Sequence, residues 1–166
     1  MNRDSIIIGV NFVVLLLLQI FVFNPIYLGI YLNIQIYLMF ILFLPANLSS
    51  LSVMFLSALM GLSVDLLSGD LGLHMAACTA AGYARMPLLK KTSTNDVQIE
   101  IPTIQRLHFS NYFLYTIILI LLHHIILFAL ETFAFSEILL ILAKTLVSAA
   151  VNFILIGIIK MVITRK

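Results

Sequence analysis

Charge is what this sequence has least of: Asp, Glu, Lys and Arg make up 10% of its 166 residues, against about 25% in an ordinary soluble domain. Cysteine is nearly missing too. Cys78 stands alone, which excludes an intramolecular disulfide and any centre that needs several cysteines. No hydrophilic stretch is long enough to form a separate aqueous domain, and there is no internal repeat or low-complexity tail. A nucleic-acid partner is not expected, because a formal net charge of +2 falls short of what a duplex-binding face requires.

What is present is apolar: 63% of residues are hydrophobic and the mean hydropathy is +1.17. A water-soluble fold of this size has too little interior to hide that surface, so the lipid bilayer must be its solvent. A bilayer core about 30 Å thick takes ~20 apolar residues as a helix. Six stretches meet or approach that length: residues 6–23, 26–44, 51–67, 71–89, 109–130 and 138–163. Asn24-Pro25, Pro45-Ala46-Asn47 and Ser68-Gly69-Asp70 punctuate the first four, and the one sizeable polar stretch runs from Lys90 to His108. Strands are disfavoured because the runs are continuously apolar, whereas barrel strands alternate. The first run is longer than a signal-peptide core and lacks a small-residue cleavage site, so it is expected to remain as a helix.

The expectation is an all-α integral membrane protein with six transmembrane helices, a single polytopic domain over residues 1–166. Its N- and C-termini are expected to be cytoplasmic. Basic residues cluster at Arg85, Lys90, Lys91 and Arg106 and again at Lys160, Arg165 and Lys166. The connectors expected on the opposite side, at Asn24-Pro25, Ser68–Asp70 and Glu131–Glu137, hold no Lys or Arg, in keeping with the positive-inside rule.

The most distinctive segment is Gly61-Leu62-Ser63-Val64-Asp65-Leu66-Leu67-Ser68-Gly69-Asp70-Leu71-Gly72-Leu73-His74. Gly69 allows a tight inter-helix turn and Gly61 a close helix approach. Asp70 is placed to cap the fourth span. Asp65 lies about a turn inside the third span, where a carboxylate is costly unless paired or wetted; both acids also fit as boundary markers. Small residues around Ala76–Gly82 place the fourth span inside the bundle. His74 and Cys78 share a face at i, i+4, yet nothing supplies the further ligands of a zinc site or the oxyanion hole of a nucleophile pair. His123-His124 point about 100° apart on a helix, so they cannot chelate one ion alone; Glu131 shares a face with His124. In the sixth span Lys144, Thr145, Ser148 and Asn152 form a polar stripe that should face protein. Lys144 and Asp65 are expected either to form an ion pair across the bundle or, for Lys144, to snorkel to the surface. No catalytic residue, metal ligand or cofactor site is expected.

The glycine–aspartate segment resembles that of the rod shape-determining protein MreD family, whose pattern of Gly-Leu, Asp, Gly and Gly falls here on Gly61-Leu62, Asp65, Gly69 and Gly72, followed by His74. The resemblance extends in length and hydropathy over the whole chain. It implies a non-enzymatic scaffold in the bacterial cytoplasmic (inner) membrane, part of the elongasome that regulates peptidoglycan synthesis and cell shape. It implies an MreC-like bitopic partner and, indirectly, MreB, RodA and its transpeptidase. The implied fold is like that of the substrate-binding component of energy-coupling-factor vitamin transporters. A vitamin-binding subunit is therefore the rival reading, although the first span lacks the small-residue seam with which such subunits dock.

Overall fold

The computed structural model describes residues 3–70, 72–92 and 109–164, and every regular element among them is helical. Helix α1 (Arg3–Leu18) runs into a π-helical turn, Gln19–Phe23. A short α2 (Leu38–Phe43) comes next, then α3 (Ser50–Ser68) and α4 (Leu73–Thr92). Last come α5 (Phe109–Thr132), a 3-10 turn at Phe135–Glu137 and α6 (Ile138–Thr164). Four stretches are long and apolar enough to cross a bilayer: Ser5–Phe23, Ser50–Ser68, Ser110–Thr132 and Ile138–Val162. They mark the chain as a helical membrane protein. Leu71, most of the expected Lys90–His108 loop with Arg106, and the terminal Arg165 and Lys166 lie outside the described residues.

One expected span is corrected. Residues 26–44 do not form a continuous helix; the chain is non-helical from Asn24 to Tyr37 and coils only over Leu38–Phe43. Six residues of helix rise only about 9 Å, so most of this segment traverses the bundle with its backbone groups unspent on helical bonds. Pro25 and Gly29, the latter at a φ of 87°, break it at the start.

The missing bonds are supplied by side chains, and the pattern is regular. Ser148 Oγ accepts from the Asn33 N–H at 3.0 Å and donates to the Tyr31 carbonyl at 3.1 Å. One turn further along α6, Asn152 Oδ1 accepts from the Gln35 N–H at 2.7 Å while its Nδ2 donates to the Asn33 carbonyl at 2.8 Å. On the opposite edge, Gln19 Oε1 accepts from the Ile36 N–H at 2.8 Å and Nε2 donates to the Ile34 carbonyl at 2.8 Å. Each side chain therefore bridges the C=O of one residue and the N–H two residues on, as a neighbouring strand would. Odd-numbered residues bond to α6 and the even-numbered pair to Gln19 at the end of α1. Four residues of helix advance about 6 Å and two extended residues about 6.6 Å, so the i, i+4 stripe of α6 stays in register with the segment.

Helices α3 to α6 pack as successive antiparallel neighbours. Ser49 caps α3, its Oγ accepting from Ser52 N–H at 3.1 Å, and Gly69 closes it in the left-handed conformation at a φ of 81°. At that point the Asp70 N–H reaches the Asp65 carbonyl at 3.0 Å, the six-to-one bond of a Schellman ending. Asn111 Nδ2 ties α5 to the Thr92 carbonyl at the foot of α4, 2.7 Å away. Asn24 Nδ2 ties the far end of α1 to Ser68 Oγ at 2.8 Å. These ties set Arg85, Lys90, Lys91 and Lys160 toward one end of the bundle, and Asp65, Asp70, Glu131 and Glu137 toward the other.

Asn152→Leu removes the acceptor for Gln35 N–H and the donor for the Asn33 carbonyl, and is expected to cost about 2–4 kcal/mol, since each stranded backbone group costs ~1–3. Ser148→Ala is expected to cost less. Reversible unfolding in mixed micelles reads both, and equal stability of Asn152→Leu and the parent would show that water replaces the lost bonds.

Candidate functional site

The glycine–aspartate segment builds the corner where α3 meets α4. A Cβ on Gly61 would strike the His74 carbonyl and lie 2.6 Å from Met75 Cα. On the facing helix a Cβ on Gly82 would lie 2.5 Å from Ser57 Oγ. Both glycines thus bring the helices together at backbone distance, while Ala77, Cys78 and Ala81 are fully buried between them. Gly72 sits at a φ of 80°, which turns the chain into α4 at a value that other residues rarely adopt.

Asp65 is the cap of α4. Its Oδ1 accepts from the His74 backbone N–H at 3.0 Å and its Oδ2 from the Met75 N–H at 2.9 Å. His74 Nδ1 lies 2.9 Å from the same Oδ1. Asp70, which the sequence places as the cap, instead stands half-exposed with Oδ2 3.4 Å from His74 Nδ1. The reason is geometric: the cap comes from the last turn of the preceding helix, because the Gly69–Gly72 turn folds α4 back over Asp65. Ligand atoms of Asp65, Asp70 and His74 all lie within 4.8 Å of one another, close enough to share a cation. Their present bonds already employ both Asp65 oxygens and His74 Nδ1.

The ion pair between Asp65 and Lys144 does not form. Asp65 is committed to His74, and Lys144 Nζ donates to Glu131 Oε1 at 3.1 Å across the α5–α6 turn. Lys144 also lies 5.5 Å from the Phe128 ring centroid. Glu131 is therefore not the partner of His124, whose Nδ1 contacts the Ile120 carbonyl at 2.8 Å and whose Nε2 meets Asn152 Nδ2 at 3.2 Å.

Between corner and stripe runs a buried polar seam. The Tyr37 ring stands edge-on to His74, with centroids 5.9 Å apart. Tyr37 Oη meets His123 Nε2 at 2.9 Å, and Cys78 Sγ lies 3.8 Å from the same nitrogen. His123 stacks edge-on against His124 at 5.4 Å, and His124 leads to Asn152. His74 and Cys78 thus point to different partners, His74 to Asp65 and Cys78 to His123. Nothing in this seam pairs a nucleophile with a base beside an open cleft, since Tyr37, Cys78, His123 and His124 are all fully buried.

Four contributors escape sequence reasoning. Gln19 falls within an otherwise apolar run. Tyr37 and Tyr115 look like ordinary aromatics. Arg85, grouped with the flanking basic cluster, is wholly buried: Nε donates to Tyr115 Oη at 3.1 Å and Nη2 to the Leu44 carbonyl. Tyr115 Oη in turn donates to the Leu42 carbonyl at 2.9 Å. Arginine and tyrosine together satisfy carbonyls at the end of α2 that have no helical partner. A helix of six residues, too short to satisfy its own ends, is the signal that would have pointed to them.

Asp65→Ala is expected to lower stability by about 1–2 kcal/mol, as loss of a helix cap does, and Asp70→Ala by less. A double-mutant cycle on Asp65 and Lys144 should give additivity within about 0.5 kcal/mol. The Glu131–Lys144 cycle should give a coupling of up to ~1 kcal/mol. A larger Asp65–Lys144 coupling would contradict this assignment.

Compared with family models, with curated proteins and with solved structures, the chain matches none.

Proposed function

We propose that this chain is a non-enzymatic membrane scaffold of the bacterial cell-elongation machinery, similar to MreD, which holds an MreC-like bitopic protein in the inner membrane. The observation that carries the reading is how the motif residues are employed. Gly61, Asp65, Gly69 and Gly72 go into helix contact, capping and turning, so the pattern that resembles the family serves the shape of a membrane bundle. The polar stripe on α6 is likewise occupied with backbone groups of the chain itself.

In this reading the chain crosses the bilayer six times with both termini cytoplasmic, and residues 24–44 form a broken second crossing. The segregation of Arg85, Lys90, Lys91 and Lys160 from the acidic residues supports that orientation. Helix α1 supports the scaffold role. Only 6% of its apolar window is buried in the bundle, and Val10, Val13 and Leu17 are exposed along one side, a surface on which a partner's transmembrane helix can pack. Against the vitamin-transporter reading stands the same helix: Gly9 is its only small residue besides Ser5, and a Cβ there would meet nothing within 4 Å. The seam needed for docking to a coupling subunit is missing.

Co-purification from mild detergent tests the proposal. Recovery of a bitopic MreC-like protein is expected, and Val13→Trp with Leu17→Trp should cut that recovery about tenfold, a loss of roughly 1.4 kcal/mol, at unchanged thermal stability. Recovery of an ATPase module instead, or tight binding of a water-soluble vitamin, would replace scaffold with transporter subunit.

A further inference from the structure

Asn11 is the one polar side chain between Ser5 and Gln19, and it is exposed on α1. It lies six residues beyond Ser5, where the apolar stretch begins. That is a rise of about 9 Å, which sets the amide well inside a ~30 Å hydrocarbon core. Gln19, further along the same helix, has both ends of its amide bonded within the bundle. Asn11 makes no hydrogen bond among the described residues, and an amide left so in lipid is costly. Its neighbours on the helix surface form a pattern. Ile7, Asn11, Val14 and Leu18 follow one another at spacings of four, three and four, the heptad rhythm of a seam between two helices. At about 100° per residue they fall within roughly 60° of arc. Ile7, Val14 and Leu18 are exposed, and all four residues border an open groove. Val10, Val13 and Leu17 lie on a separate face, about 100° around the helix.

We propose that this seam is the contact between two copies of the chain, with α1 parallel to α1 and the two Asn11 amides bonded to each other. The chemistry of the amide selects a second copy. Asparagine presents an N–H donor and a C=O acceptor, groups of opposite partial charge. Two of them facing across a two-fold axis therefore satisfy each other reciprocally. Copies inserted in one membrane by the same charge rule share one topology, so their α1 helices run parallel and Asn11 meets Asn11 at equal depth. A different protein would have to offer a polar group at that same depth. A single Asn in an otherwise apolar heptad seam also fixes register and helix number, and interhelical amide bonds hold helices together in lipid. The pairing requires that α1 crosses the membrane and does not depend on the scaffold reading. It leaves the Val10, Val13 and Leu17 face free for a bitopic partner.

The test is resonance energy transfer between donor- and acceptor-labelled copies of the purified chain in phosphatidylcholine vesicles, read over a range of lipid-to-protein ratios. A concentration-dependent dimer is expected. Asn11→Val should weaken it about tenfold, the loss of two interhelical hydrogen bonds in lipid, and Asn11→Gln, which keeps an amide, should weaken it less. Oxidation should trap the dimer through Val14→Cys and not through Val13→Cys, while Cys78, fully buried, stays silent. A chain that is monomeric at every ratio overturns the proposal, as does a dimer indifferent to Asn11→Val or trapped through Val13→Cys instead. Should Asn11→Val fail to fold, the cross-linking pair decides alone. Loss of a co-purifying bitopic protein on Asn11→Val, from a chain that never dimerises, assigns the seam to that partner and equally overturns it. A dimer that depends on Asn11, with no bitopic protein recovered, supports this inference and counts against the scaffold reading.

Discussion

A backbone that runs through the interior of a helix bundle without helical bonds has to find its partners elsewhere, and in this protein that requirement organises everything around residues 31–36. Hydrocarbon offers no water to an exposed N–H or C=O, and each one left unpaired costs several kcal/mol. The Ser148, Asn152 and Gln19 bridges answer that demand from both edges, and Arg85 with Tyr115 answers it again where α2 ends. Residues from α1, α4, α5 and α6 are thereby recruited to one short segment. The polar side chains buried in this bundle are costly by themselves and become favourable only because the segment they serve would otherwise be costlier.

The α3–α4 corner obeys a different logic. Helix association in lipid gains nothing from burying apolar area, since tails are as apolar as leucine, so contact must come from close packing. Gly61 and Gly82 remove the side chains that would keep the two backbones apart. Asp65 then finishes the joint by capping α4 from the last turns of α3. The Tyr37–His123–His124 seam links this tight pair to the stripe on α6. The broken segment and the corner therefore share side chains, and neither can shift without disturbing the other.

Much of this fold is legible in the sequence, and the rest is hidden for identifiable reasons. Hydropathy locates the long helices because length and apolarity are what a bilayer selects. It fails over residues 26–44 because a window average records how apolar a stretch is and ignores its period. Tyr31, Asn33, Gln35 and Tyr37 alternate with Leu32, Ile34 and Ile36, a period of two that marks non-helical backbone. The stripe at Ser148 and Asn152 is visible as a face that must meet protein, yet its partner is backbone, which carries no sequence signature. Asp65 and Lys144 match in depth alone; their true partners, His74 and Glu131, sit across local turns whose geometry depends on Gly69, Gly72 and the α5–α6 connection. Arg85 misleads because a charge near a span's end normally marks the interface. Only the exposed carbonyls of a six-residue helix explain why this one is drawn inward.

Helix α1 is the outlier, and the reason lies in how it is held. Its apolar surface looks largely outward, with only Ile8, Phe12, Leu15 and Leu16 half-buried against the core, so packing contributes modestly to its position. Gln19 is the exception: fully buried, it bonds to Asn24, Ile34 and Ile36 from the π-helical turn that ends the helix. A π turn inserts an extra residue and rotates the chain beyond it, which aims the amide at the segment rather than along the helix. The other end of α1, near Ile7, borders an open groove, with Ile8 and Phe12 packed against the core. A helix tied at one end by the Gln19 and Asn24 amides and only partly packed along the rest is the part of the bundle best suited to exchange protein contact for lipid or a partner. Its attachment to the core of α3 to α6 runs in part through the same hydrogen bonds that satisfy the broken segment, and in part directly from Asn24 to Ser68 on α3.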